Sequence, residues 1–353
     1  MPDGTAAPGG GWRKHRKRIL GGVATAAIVG AIFVFVLPRI ADYRDVWDVM
    51  RGLSRRDGLL LAGATVLNIA TFPPSWMVAL PGLAFRQALV MTQASTALSM
   101  VTPAGAAVGM AGSYSMLRSW GFSSGSSALA VAVSGVWNQF ANLVFPVVAL
   151  ILLTGIEQDH PALRTTAFVG LAVLVVAVVV FAFALSSSER ARRIGSAVAR
   201  LTSRALRLLR RNPVTWGGEA LAQFRSGALE LLRRRWHVLT LATLAGHLTV
   251  FLLLVVCLRV VGVTGGEVSW VEAFAAWALI HILGALPLTP GGLGIVELGL
   301  SGALVAFGAS NADAVAGTLL YRSLTILPTL VLGLLAAVSW RSHHPGDRLG
   351  SEQ

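Results

Sequence analysis

Pro287-Leu288-Thr289-Pro290-Gly291-Gly292-Leu293-Gly294-Ile295-Val296-Glu297 interrupts the apolar tract 271–307 with two prolines and three glycines. Proline removes a donor from the helical ladder and disfavours helix in the residue before it, so Thr289-Pro290 ends one helix and starts another. The flanking pieces, 271–286 and 290–307, are each shorter than the roughly 20 residues that cross a bilayer. The stretch therefore reads as a hairpin that enters and leaves a membrane on one side.

The same break occurs earlier. A shift of 187 residues aligns Thr102-Pro103 with Thr289-Pro290, Gly105 with Gly292, Val108 with Ile295, Gly121 with Gly308 and Ser123 with Ser310, without a gap. A first hairpin is predicted over 86–118. Around the two hairpins lie six apolar segments of spanning length, at about 19–37, 58–80, 128–153, 165–185, 238–261 and 316–340. With 55% hydrophobic and only 13% charged residues, and a mean hydropathy of +0.69, the chain is no ordinary soluble enzyme, in which about a quarter of residues are charged. The expected class is all-α: a polytopic helical membrane protein of six full spans and two Pro/Gly-broken re-entrant hairpins in an inverted repeat.

Charge sets the orientation. The formal net charge of +13 would raise nucleic-acid binding in a soluble chain, but here the basic residues cluster between apolar segments, as in loops held at an anionic inner leaflet. Segment 186–237 carries twelve Arg against three acidic residues, and Arg13, Lys14, Arg16, Lys17 and Arg18 precede the first apolar run. Both regions, and the tail, are expected to be cytoplasmic. The divisions are a basic N-terminus (1–18), a first membrane half (19–185), a basic amphipathic loop (186–237), a second half (238–340) and a tail (341–353). Run 19–37 is read as an uncleaved span, because Pro38-Arg39-Ile40 follows it in place of a small-residue cleavage site. Three crossings separate the hairpins, so they enter from opposite faces, the arrangement of alternating-access carriers.

Within the basic loop, Ile194, Val198, Leu201, Ala205 and Leu208 recur at helical spacing, with Arg193, Arg200, Arg204, Arg207 and Arg211 on other faces. That pattern describes an amphipathic helix lying on the inner membrane surface. The lone Cys257 sits in an apolar run and supports neither a disulfide framework nor a Cys-based metal site.

Glu297 and Arg322 are ionisable groups at membrane depth, where each costs several kcal/mol unless paired or hydrated. The break at Thr289-Pro290-Gly291-Gly292 would leave backbone N–H groups and a positive helix end facing the interior, suited to a lipid phosphate. A packing turn and a structural ion pair are the competing readings. His247 and His281 read as hydrogen-bonded core residues. Asn68, Gln93, Asn138 and Asn142 read as interhelical hydrogen-bonding groups.

The run from Pro290 to Glu297, with Arg322 in the last span, resembles the Pro-Gly-Gly-Leu-Gly-x-x-Glu signature of the lysylphosphatidylglycerol synthase transmembrane-region family of flippase-like membrane proteins. The resemblance covers roughly residues 15 to 340. It implies a flippase-like carrier of an anionic phospholipid or polyprenyl-phosphate-linked lipid. The substrate-binding candidates are Thr289, Pro290, Gly291, Gly292, Gly294, Glu297 and Arg322, with Thr102, Pro103, Gly105 and Arg118 from the first half. Some members carry a further aminoacyltransferase domain. With only 341–353 beyond the last span, synthase activity is not expected here. The first half also departs from the family pattern, since no acidic residue stands between Pro103 and Arg118.

No nucleotide loop, zinc-protease, hydrolase-elbow or Cys-x-x-Cys motif is present. The chain is therefore read as a non-enzyme that needs no cofactor or metal, set in a bacterial cell membrane, with membrane lipid and the anionic inner leaflet as partners. A membrane-embedded headgroup transferase and a non-transporting scaffold are the alternatives.

Overall fold

A chain immersed in lipid can satisfy its backbone N–H and C=O groups only internally, which leaves helices as the solution for a sequence this rich in Ala, Leu and Val. The computed structural model describes residues 51–102, 105–156, 161–208, 218–285, 290–292 and 294–341, together with Arg44. Its elements are α1 (Arg55–Thr71), α2 (Pro73–Ala79), α3 (Phe85–Val101), α4 (Gly105–Ser119), α5 (Ser124–Ile156), α6 (Pro161–Ser186), α7 (Ser188–Leu208), α8 (Gly218–Val260), α9 (Trp270–Ala285), a 3₁₀ turn (Pro290–Gly292), α10 (Ile295–Ala306) and α11 (Asn311–Arg341). Among the described residues, five stretches are long and apolar enough to cross a membrane: Arg55–Ala79, Ser124–Gly155, Thr165–Phe183, Phe224–Val260 and Asn311–Ala336. They coincide with five of the expected spans, while 19–37 lies outside the described residues. The protein is an all-α polytopic membrane protein.

Helix boundaries repeat with the shift read from the sequence. Helix α5 starts at Ser124 and α11 at Asn311, and the turn before each is built alike. Gly121 and Gly308 both take positive φ, +90° and +121°. Their N–H groups donate to the carbonyls of Arg118 and Val305, while Phe122 and Ala309 donate to Leu117 and Leu304. This is a glycine-terminated helix end that satisfies carbonyls otherwise left orphaned. Ser123 and Ser310 then cap the next helix, their Oγ atoms accepting from the N–H groups of Ser126 and Asp313 at 3.1 Å each.

Packing repeats as well, with the partners exchanged. Helix α3 lies on α11, and its counterpart α9 lies on α5; each hairpin, α3–α4 and α9–α10, also packs on itself. Reciprocal exchange of this kind is what a two-fold relation between halves produces. The α3–α11 contact is close enough to need a glycine: a Cβ on Gly333 would stand 2.4 Å from Ala97 Cβ and 2.9 Å from the Gln93 carbonyl oxygen. Lipid tails are as apolar as leucine, so such tight small-residue seams drive helix association in membranes. Gly333→Ala should therefore push the halves apart and cost about 1–3 kcal/mol, seen as a lowered melting temperature of the detergent-solubilised protein. An unchanged melting temperature would show that the seam is not under this constraint.

Helix α6 is peripheral, with Phe168, Val169, Val176 and Val180 all exposed, as befits a lipid-facing span. Pro146 and Pro328 sit inside α5 and α11 without ending them. Segment 186–237, expected as a loop carrying one helix, is more ordered than that. Helix α7 is present, but α8 already begins at Gly218 and runs 43 residues, so the span at 238–261 continues an amphipathic extension on which α7 packs. Gly195 and Ala199 are buried in α7, whereas Val198 and Leu201 stay exposed.

Candidate functional site

Three glycines set the geometry of the second hairpin tip. Gly291, Gly292 and Gly294 have φ of +62°, +68° and +85°, a region that residues with a Cβ rarely enter. The chain thereby reverses within a few residues and launches α10, whose first turn holds Glu297. One carboxylate oxygen of Glu297, Oε2, accepts from the Gly294 N–H at 2.6 Å. The other, Oε1, accepts from Arg322 Nε at 2.5 Å. Arg322 reaches in from α11 and donates through Nη2 to the Gly291 carbonyl at 2.8 Å. One guanidinium thus ties the last span, the turn and α10 together.

Burial makes this arrangement costly to break. The side chain of Glu297 is 2% exposed and that of Arg322 13%. Charges so far from water are tolerated because they are paired and hydrogen-bonded, and the pair is electrically neutral. Two of the five guanidinium N–H groups of Arg322 are used in these bonds, and the remaining three have no partner among the described residues. Arginine presents such donors in a planar fork that matches phosphate oxygens.

The first hairpin abuts this turn. A Cβ on Gly291 would lie 3.5 Å from the Met100 carbonyl oxygen, at the end of α3. Of the first-half candidates, Thr102 is the cap of α3, its hydroxyl donating to the Leu98 carbonyl at 2.6 Å. Gly105 is held against Ser99, whose carbonyl oxygen would stand 1.8 Å from an added Cβ. Arg118 is the exception. It is exposed at the far end of α4, where its guanidinium donates to the Phe122 carbonyl, so the structure does not bring it to the Glu297–Arg322 pair. Pro290 opens the 3₁₀ turn; Thr289 and Pro103 lie outside the described residues.

The repeat shows why the site is one-sided. The counterparts of Glu297 and Arg322 under the 187-residue shift are Met110 and Gly135, and Met110 Sδ lies 3.5 Å from where a Gly135 Cβ would be. The two positions meet in both halves, with an ion pair in one and an apolar pair in the other.

A model of the lysylphosphatidylglycerol synthase TM region matches residues 19–333. The chain belongs to this family. No individual curated protein matches it. In this family member Gly291, Gly292 and Gly294 form the backbone turn beside which Glu297 and Arg322 meet.

Other polar groups sort differently from expectation. Asn68 does bond across helices, to Thr249 Oγ1 at 3.4 Å. Asn138 and Asn142 do not: they donate within α5, to the Ser134 carbonyl at 2.8 Å and to Gln139 at 3.2 Å. The cross-helix bond from α5 is made instead by Trp137 Nε1, donating to Thr240 Oγ1 at 3.0 Å. His247 is buried with Nδ1 2.9 Å from the Thr243 carbonyl, the core role read for it. Its ring also faces His281 on α9, a juxtaposition that sequence separation concealed.

Proposed function

We propose that this protein is a flippase-like carrier that moves an anionic phospholipid, or a polyprenyl-phosphate-linked lipid, across the cell membrane and does no covalent chemistry. The observation that carries the reading is the buried Arg322–Glu297 pair on a glycine-built turn, with guanidinium donors that have no partner among the described residues. A lipid phosphate would take those donors, and the two oppositely inserted hairpins would open the site to either leaflet in turn. Family membership supports a lipid-related role.

The basic surface fits the same reading. Arg225, Arg233 and Arg234 line a groove of about 490 Å³ on the α8 extension, beside α7 with its exposed Val198 and Leu201. We assign this face, and both termini, to the cytoplasm, where juxtamembrane Arg attracts anionic lipid by about 1 kcal/mol per residue. The ion pairs between α7 and its surroundings, such as Arg192 to Glu219 at 3.3 Å, are exposed and contribute little.

The test is a reconstitution. Vesicles containing the purified protein and fluorescent NBD-phosphatidylglycerol should lose outer-leaflet label to dithionite and then replenish it from the inner leaflet faster than protein-free vesicles. Replenishment at the protein-free rate, for both this lipid and a polyprenyl phosphate, would overturn the carrier reading.

A further inference from the structure

Helix α9 packs on α10 and on the 3₁₀ turn that hold the Arg322–Glu297 pair, and it carries His281, half-buried beside the buried His247, a pair that lipid binding alone does not use. His247 of α8 and His281 of α9 face each other with ring centroids 6.0 Å apart at 82°. His281 stacks on Trp277 at 5.2 Å and 26°, and His247 is flanked by Phe145 and Phe72 at 5.6 and 5.7 Å. The Thr243 carbonyl can only accept, so the Nδ1 that meets it carries the proton. That leaves Nε2 of neutral His247 with a free lone pair. No hydrogen bond holds either ring nitrogen of His281 among the described residues.

The surrounding charges are few. Helix α11 presents Arg322, whose field reaches His281, and Tyr321 beside it. Helix α10 presents Glu297 through its bond to Arg322, and α8 carries Cys257 further along. From α5 and the α1–α2 junction the pair meets Phe145 and Phe72, not titratable groups.

Charge balance then decides what the pair can do. Empty, the site is neutral, with Arg322 matched by Glu297. A singly anionic headgroup docked on Arg322 brings it to a net charge of minus one in a medium where an uncompensated charge costs several kcal/mol. A proton taken up close by removes that cost. We propose that the His247–His281 pair binds one proton with each anionic headgroup, so that the carrier moves lipid and proton together. The proton forms an N–H bond at a bare ring nitrogen and returns to water when the lipid leaves; no other bond changes. This inference rests on the carrier reading above and names its coupling ion.

Linkage gives the experiment. The purified full-length protein in weakly buffered detergent should take up about one proton per bound dioctanoyl-phosphatidylglycerol, and none with dioctanoyl-phosphatidylcholine, whose headgroup is neutral overall. By reciprocity, affinity for the glycerol lipid should fall by up to about tenfold per pH unit on the alkaline side. His247→Gln and His281→Asn, checked for folding by their melting temperatures, should still bind the lipid but with proton uptake lost and affinity flat with pH. Lipid binding without proton uptake by the unaltered protein overturns the proposal and leaves the carrier reading standing. So does uptake that survives in both histidine variants and vanishes in Glu297→Gln, which would make the carboxylate the acceptor. Absence of any melting shift with phosphatidylglycerol and with a short-chain polyprenyl phosphate alike overturns the carrier reading and takes this inference with it.

Discussion

Arg322→Ala should abolish lipid movement and cost about 3–5 kcal/mol of stability, the usual result of stranding one member of a buried ion pair. Glu297 would keep its bond from the Gly294 N–H but lose its cation partner, at a position that is 2% exposed. Glu297→Gln should be milder, because the amide oxygen can still accept from Gly294 and Arg322 retains its bond to the Gly291 carbonyl. These single changes do not separate a headgroup site from a pair that merely locks α11 to α10. The double variant Glu297→Met with Arg322→Met does. Replacing a buried pair by apolar residues of similar volume is often neutral or stabilising, so melting should return close to that of the unaltered protein. If the guanidinium holds the headgroup, lipid movement should stay absent in this well-folded variant. Recovery of NBD-phosphatidylglycerol movement along with stability would reduce the pair to a structural lock.

Most of the architecture was legible because the decisive residues act through the backbone. Proline alone does not end a span here, as Pro146 and Pro328 show, but the Thr-Pro pairs at 102 and 289, each with Gly two residues beyond the proline, announce two equivalent breaks. Gly121 and Gly308 repeat because both turns need positive φ, which no packing context replaces. Contact between Glu297 and Arg322 was one of the outcomes the sequence left open, since a charge in hydrocarbon must be either paired or hydrated. What the sequence concealed was distance along a helix. Arg118 is close in number to Pro103, yet thirteen residues of α4 carry it about 20 Å from the break. The repeat itself held the remedy, since the shift pairs Arg118 with Val305 and assigns Met110 and Gly135 to the ion-pair positions. The α8 extension was hidden by Arg233, Arg234 and Arg235, which read as loop charge. The apolar series Phe224, Ala228, Leu231, Leu232 and Leu239 runs through it at helical spacing and is packed in one cluster. Asn138 and Asn142 misled because the NH2 of an amide in a span can donate one turn back along its own helix as readily as across a seam.

Gly294→Ala should be the most damaging change among the glycines of the hairpin, for a reason separate from charge. Gly294 has φ +85° and ψ −46°, outside the left-handed helical region that Asn or Asp tolerate, so an alanine there would cost about 1–3 kcal/mol in strain. The strained bond is also the one whose N–H holds Glu297 Oε2 at 2.6 Å. Relaxing the backbone turns that donor away, frees the carboxylate to rotate, and loosens the Nε contact through which Arg322 is aimed. Lipid movement should therefore fall by more than the stability loss alone predicts, about tenfold or more, the equivalent of 1.4 kcal/mol. Gly302→Ala supplies the opposite sign within the same helix. Gly302 is exposed in α10 with nothing within 4 Å of an added Cβ, so the substitution removes only chain entropy and should stabilise by about 0.4–1 kcal/mol. Measured side by side, melting temperature should drop for the first and rise slightly for the second, with transport reduced only in the first. Equal transport in the two variants would mean that the turn does not position the pair, and the link from the glycine-built tip to a working headgroup site would fail.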